Sequence, residues 1–337
     1  MSFTGATRRL LRVVRRRPSP HAVVLMYHRV AECDIDPWSL CISPPRFAEH
    51  LKALKRSYRL VSLRELTRAD AQRRTVAITF DDGYADNLYQ AAPLLERHEA
   101  PASFFLASGA LGASREFWWD ELERLLLRPV ALPSTLRITI GDEWRVFELG
   151  RAAQPPSDLR GEIRANPPWK AEPATRLGFY YAVWQVLRAL DEHARRAALD
   201  EIAGQLGQVA VARASHRTLT TEEARRLASA PGVEIGAHSV THAVLPLQSA
   251  AAQAWEIRQS KHDLQQLLGR PIAGFAYPHG DYGAETADQV RAAGFEFACT
   301  IDAGGITHGT DPYRLPRLGV EDCDGAQLIR RLERILG

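Results

Sequence analysis

Cysteine is scarce in this 337-residue chain. There are four, Cys33, Cys41, Cys299 and Cys323, and no Cys-x-x-Cys pair. Without that spacing they read as ordinary buried thiols, with no sign of an oxidising compartment. Long apolar runs are also missing: none approaches the roughly 20 residues of a membrane span. The charge is nearly balanced at +3, which excludes a nucleic-acid binder working by charge alone. There are no internal repeats.

The N-terminus lacks the uninterrupted apolar stretch of about 7–15 residues that a secretory signal carries. Arg8, Arg9, Arg12, Arg15, Arg16 and Arg17 break up Leu10, Leu11, Val13 and Val14, and Pro18 and Pro20 follow. This reading places the protein in the cytoplasm. The Arg-rich stretch is either a short amphipathic helix making weak contact with an anionic membrane face or a solvated basic tail.

What is present suits a soluble globular protein: 45% hydrophobic and 25% charged residues, in a length that fits one large barrel or two medium domains. Short apolar runs at 22–27, 76–80, 102–107, 233–237, 272–277, 295–301 and 317–320 read as strands. Helix-like stretches lie between them, among them one opened by Ser43-Pro44-Pro45 and others over 251–268 and 284–293. Strands alternating with helices imply a mostly parallel sheet, as an open α/β fold or a barrel. The block from 128 to 219 breaks the rhythm. It holds a hairpin-like piece at 136–147, a Pro-rich stretch and helices over 179–190 and 194–206. It reads as an inserted α+β segment, either a specificity lid or a packing appendage.

Two motifs carry chemistry. Thr79-Phe80-Asp81-Asp82-Gly83 puts two carboxylates after one strand, and His238-Ser239-Val240-Thr241-His242 puts two imidazoles after another. Each alone is weak, because Asp-Asp-Gly often only makes a turn and paired histidines are often structural. Together, one carboxylate and two histidines make a three-ligand site for a divalent cation with positions left open. The spare carboxylate can then act as a base, and the reading is metal-assisted hydrolysis.

At these residues the chain resembles the polysaccharide deacetylases, carbohydrate esterase family four, over roughly residues 22–127 and 220–320. The resemblance implies a deformed (β/α) barrel of about seven strands, formed by 21–127 and 220–337, with 1–20 as a basic tail and 128–219 as the insertion. It implies Asp82, His238 and His242 as metal ligands and Asp81 as the base acting on a metal-held water, with zinc the first choice and cobalt, nickel or iron acceptable. A backbone N–H near Tyr277 would assist at the oxyanion. The family's Leu-x-His acid is missing; the last histidine is His308. Leu25-Met26-Tyr27-His28 instead resembles a permuted subgroup in which the acid histidine comes first, so His28 is the expected acid.

The third motif, Phe275-Ala276-Tyr277-Pro278-His279-Gly280, departs from Phe-Arg-x-Pro-Tyr-Gly. Ala276 replaces the arginine that holds the base, and Arg317 is the candidate substitute. His279 replaces the tyrosine and is expected to face solvent rather than substrate. Tyr277, Pro278, Arg317 and Trp118 are taken as lining the substrate site, Trp118 because aromatic faces stack on sugar rings. A core role for the cluster Phe117-Trp118-Trp119 is the alternative. The expected activity is deacetylation of an N-acetylated amino sugar in glycan or surface-polysaccharide biosynthesis, on a lipid-linked or soluble precursor, with no nucleic-acid partner. Alternatives are a sugar deformylase, a non-sugar amide or imide hydrolase, and an inactive carbohydrate-binding protein.

Overall fold

A computed structural model describes residues 20–68, 74–141, 143–209 and 211–337. The Arg-rich stretch lies outside the described residues. Seven parallel strands make the frame: β1 (Ala22–Tyr27), β2 (Thr75–Phe80), β3 (Ala102–Leu106), β4 (Val233–Ala237), β5 (Gly274–Ala276), β6 (Phe297–Cys299) and β7 (Arg317–Gly319). Their order across the sheet is β6-β5-β4-β3-β2-β1-β7, and a short strand, Arg59–Val61, pairs with β2 off this path. A parallel bridge from Cys299 to Leu315 and a bond from Arg317 N to Asp302 O link the two ends. The sheet is therefore a nearly closed, deformed (β/α) barrel.

Every residue of β2 is buried, as a parallel strand covered on both faces requires. Tyr27, Phe47, Phe80 and Phe104 pack ring on ring between the sheet and helix α1 (Pro44–Ser57). Fully burying each such ring is worth roughly 1.5–3 kcal/mol. Ser43 precedes α1 as expected but makes no side-chain cap; its amide and hydroxyl both donate to Asp322 Oδ1.

A second apolar core lies beside that of the barrel. Helix α2 (Trp118–Leu126) packs with the hairpin Thr135–Ile140/Glu143–Glu148 and with helices α3 (Arg176–Arg188) and α4 (Glu192–Gln205). Arg176, buried at the start of α3, donates to the carbonyls of Leu126, Arg128, Val130, Ala152, Ala153 and Gln154. One guanidinium thus satisfies carbonyls of an irregular stretch that would be costly to bury unpaired.

The cysteine reading is corrected here. Cys33 and Cys41 form a disulfide, closing a loop that carries Trp38; Cys299 and Cys323 are free. Sequence spacing could not show this, because Asp36 turns the loop back on itself by accepting from the amides of Leu40 and Cys41. Among the described residues no helix is long and apolar enough to cross a membrane.

Candidate active site

Asp81 and Asp82 follow β2, and His238 follows β4, at the C-terminal end of the barrel where such folds collect chemistry. Asp82, His238 and His242 converge, with one potential ligand atom from each lying within 4.8 Å of the others. His242 Nε2 is 3.2 Å and His238 Nε2 3.5 Å from Asp82 Oδ1. His238 Nδ1 is 2.8 Å from the carbonyl of Ala276, which holds the ring with Nε2 toward the carboxylate. His242 Nδ1 has no partner among the described residues. All three residues are buried.

The backbone here is unusual. Of the seven described non-glycine residues with positive φ, four sit in this site: Asp82, Ser239, His242 and His279. Such conformations cost free energy and persist only where the surroundings over-determine them. Part of that surrounding is Glu256, on helix α5 (Ala250–Leu268). Its carboxylate accepts from the amides of Val240 and Thr241 at 2.7 and 2.9 Å and from the Thr241 hydroxyl at 2.6 Å. Sequence reasoning missed Glu256, whose only signal is a carboxylate fourteen residues beyond the motif on a helix face. After Asp82 the chain turns at Gly83, φ +89°, where a Cβ would come within 2.9 Å of the Leu106 side chain.

Asp81 does not join the ligand cluster. Arg317 holds it through two parallel bonds, Nη1 to Oδ1 and Nη2 to Oδ2, each 2.7 Å. Arg317 is fully buried and also donates to Thr79 Oγ1 and to the carbonyl of Thr300. This is the cation the sequence placed in the role left by Ala276. It is a partner of Asp81 and does not line the cavity. Burial pushes the Asp81 carboxyl up, but Arg317 and His238 outweigh it and the net direction is down. For Asp82 burial again raises the pKa, and the bonds from His238 and His242 bring it well below the usual range. Burial pulls His238 down, yet Asp81 and Asp82 lift it above its ordinary value, whereas burial wins at His242 and lowers it.

A cavity of about 490 Å³ opens over these groups. His28, just past β1, lines it together with Asp81, Asp82, His238 and His242. Tyr277 also reaches it, but its amide donates to Cys299 O and its hydroxyl to Tyr313 O. Neither group of Tyr277 is therefore free to donate into the cavity. Pro278 is buried and does not line the cavity. His279, expected to face solvent, lies in the cavity wall with its ring 4.4 Å from that of His242. Trp118 is buried in the core of the insertion; its neighbour Trp119 is the one that faces the cavity and packs on His242 at 4.6 Å. Helix phase decides which of two adjacent indoles points outward, and three aromatics in a row do not reveal it.

The polysaccharide deacetylase family model matches residues 68–134 and 180–298, more than half of the chain. YxkH of Bacillus subtilis (strain 168), classed with the polysaccharide deacetylases, is 26% identical over 117 residues, 33% of this chain and 40% of that protein. The chain thus matches well under half the length of this curated relative. Among solved structures, the Streptococcus pyogenes deacetylase PplD in complex with acetate is 16% identical with a TM-score of 0.57, covering 93% of this chain and 98% of that one. IcaB from Ammonifex degensii gives 16% identity and a TM-score of 0.57 over 93% and 97%. At such identities the structural likeness speaks for the fold alone.

Proposed function

This chain belongs to the polysaccharide deacetylase family, and from that premise we propose that it is a metal-dependent hydrolase removing the N-acetyl group of an amino sugar. The observation that carries the reading is the convergence of Asp82, His238 and His242 beside a second carboxylate, Asp81, kept apart by Arg317. Two imidazoles and a carboxylate, with one imidazole tautomer set by a backbone carbonyl, are a donor set suited to zinc, and to cobalt, nickel or iron. A cation held there would supply Lewis acidity to the acyl carbonyl and to water.

The chain's own residues do the rest. Asp81, ionised down to acid pH by its pairing with Arg317, accepts the proton of the attacking water. Arg317 keeps that carboxylate aimed and charged. His28 faces the same cavity and returns a proton to the departing amine, a task an imidazole performs near neutral pH. The acetylated sugar belongs to glycan or surface-polysaccharide biosynthesis and is carried on a lipid, with the Arg-rich N-terminus as a weak membrane contact. The Cys33–Cys41 bond favours an oxidising compartment over the cytoplasm read from the sequence.

The test is acetate release from free, nucleotide-linked and lipid-linked N-acetylated sugars by wild type, Asp81→Asn and chelator-treated protein, with bound metal quantified. Release lost in both treatments, with metal retained in Asp81→Asn, supports the reading. Absence of bound metal sinks it. Bound metal without acetate from any sugar transfers the site to deformylation or to a non-sugar amide.

A further inference from the structure

The cavity has a second half that the chemistry above does not use. Beyond the ligands its wall is Trp38, Leu40, Trp169, Tyr181, Trp184 and Ile301. Trp38 comes from the disulfide-closed loop, and Trp169, Tyr181 and Trp184 come from the inserted segment. The rings form one continuous surface. Trp38 meets Trp184 at 4.5 Å and stacks with Trp169 at 6.0 Å, while Tyr181 stacks on Trp184 at 5.8 Å. Part of this surface is open to water: Trp169 is 56% exposed and Ile301 47%.

Several polar atoms around it are turned away, while Arg188 Nε and His279 Nε2 have no hydrogen-bond partner among the described residues. Trp38 Nε1 donates to Tyr180 Oη at 2.7 Å, and Trp119 Nε1, on the side toward the ligands, donates to Tyr84 Oη at 2.9 Å. The hydroxyl of Tyr277 is spent on Tyr313 O, and Arg188, the cation at this end, is paired with Asp281. The two unpartnered nitrogens could not satisfy all the hydroxyls of a sugar ring laid on the wall, and burying an unpaired hydroxyl is costly. A hydrocarbon brings none and gains from every methylene it buries.

We propose that this wall binds the hydrocarbon chain of the substrate's carrier, the part nearest the sugar, and so selects lipid-linked over free sugars. The proposal rests on the reading that the same cavity takes an N-acetylated amino sugar. The loop and the insertion together then form the carrier subsite, while the barrel residues handle the acetyl group.

The experiment compares methyl, butyl, hexyl and octyl glycosides of N-acetylglucosamine, below their micellar concentrations, with N-acetylglucosamine oligomers of two to four units. Acetate release is measured for wild type, Trp184→Ala, Trp169→Ala and, as a control, Trp144→Ala, whose indole is exposed on the hairpin far along the chain. KM is expected to fall with chain length, by up to about fourfold per added methylene. That dependence should flatten in Trp184→Ala and Trp169→Ala and persist in Trp144→Ala. Trp169 is exposed, so its variant guards against a result caused by misfolding.

A KM that falls with added sugar units and not with methylenes overturns the proposal and makes the wall a sugar-stacking subsite. A KM indifferent to both overturns it as well. Quenching of tryptophan fluorescence by the same glycosides reads binding without turnover. Chain-length-dependent quenching in a protein that releases no acetate would keep the carrier subsite and refute the deacetylase reading. Turnover with no chain-length effect would do the reverse.

Discussion

The two halves of the cavity are built on opposite principles. The floor is polar and comes from strand ends of one barrel. Several of its groups are tied down: Asp81 by Arg317, His238 by a carbonyl, the histidine loop by Glu256. The wall is aromatic and partly exposed, and apart from Ile301 it comes from the disulfide-closed loop and from residues 169–184. The contrast teaches that a rigid frame positions reacting groups, whereas appended segments choose what is brought to them. Strained backbone is concentrated in the floor, at Asp82, Ser239 and His242, but the wall has it too, at His279 and at Ser39 between Trp38 and Leu40.

The comparison breaks most sharply at Asp81. Asp81→Asn is expected to lower kcat about 10²–10⁴-fold while the three ligands keep their metal, as acetate release and metal analysis would show. A variant that stays fully active would remove the base from the floor. Next is Arg317→Met, which leaves a buried carboxylate without its cation and should destabilise the fold by about 3–5 kcal/mol, read by chemical denaturation. The pH dependence follows in sign. Asp81 has its folded pKa lowered, so its contribution to stability is present above the unfolded value of about 3.9 and lost as pH falls through the folded one. Without Arg317 the carboxyl rises, and the acid limb of the activity profile should move to higher pH.

Glu256→Gln tests whether the floor depends on its support. The loss expected is about 10–100-fold in metal affinity or activity, the range for groups that orient ligands. An unchanged metal affinity and rate would show that the histidine loop holds itself. Asp120, which does not line the cavity, accepts from Tyr84 Oη at 2.6 Å, and burial pushes its carboxyl up to about 8. A raised carboxyl keeps its proton when folded, so its stabilising effect is present at low pH and lost as pH rises toward 8. Asp120→Asn should flatten that part of the stability profile. The smallest effect is expected from reducing Cys33–Cys41. It should cost on the order of 2 kcal/mol in stability and alter substrate preference through Trp38 more than it alters kcat. A reduced protein that loses kcat outright would blur the distinction between the two halves.

The floor was largely legible before the structure. Two carboxylates after one apolar run and two histidines after another mark strand ends, and the barrel brings strand ends together. Arg317 could be named as well, because the family resemblance puts an arginine where this chain has Ala276 and so calls for another cation. The wall was not legible. Trp38 and Trp184 are 146 positions apart, and Trp118 rather than Trp119 was taken for the outward indole. Glu256 and the Cys33–Cys41 pair were missed for the same reason: neither has a spacing that distinguishes it from a solvated helix face or from free thiols.

By itself the sequence determined the strand–helix alternation and the placing of two carboxylates and two histidines just past strand ends, because these follow from local periodicity. Tertiary structure alone decided the bond from Cys33 to Cys41, the clamp of Glu256 on the histidine loop and the aromatic wall. Those depend on which segments meet in space, and close packing of distant segments is set by the whole core at once rather than by any local run of residues.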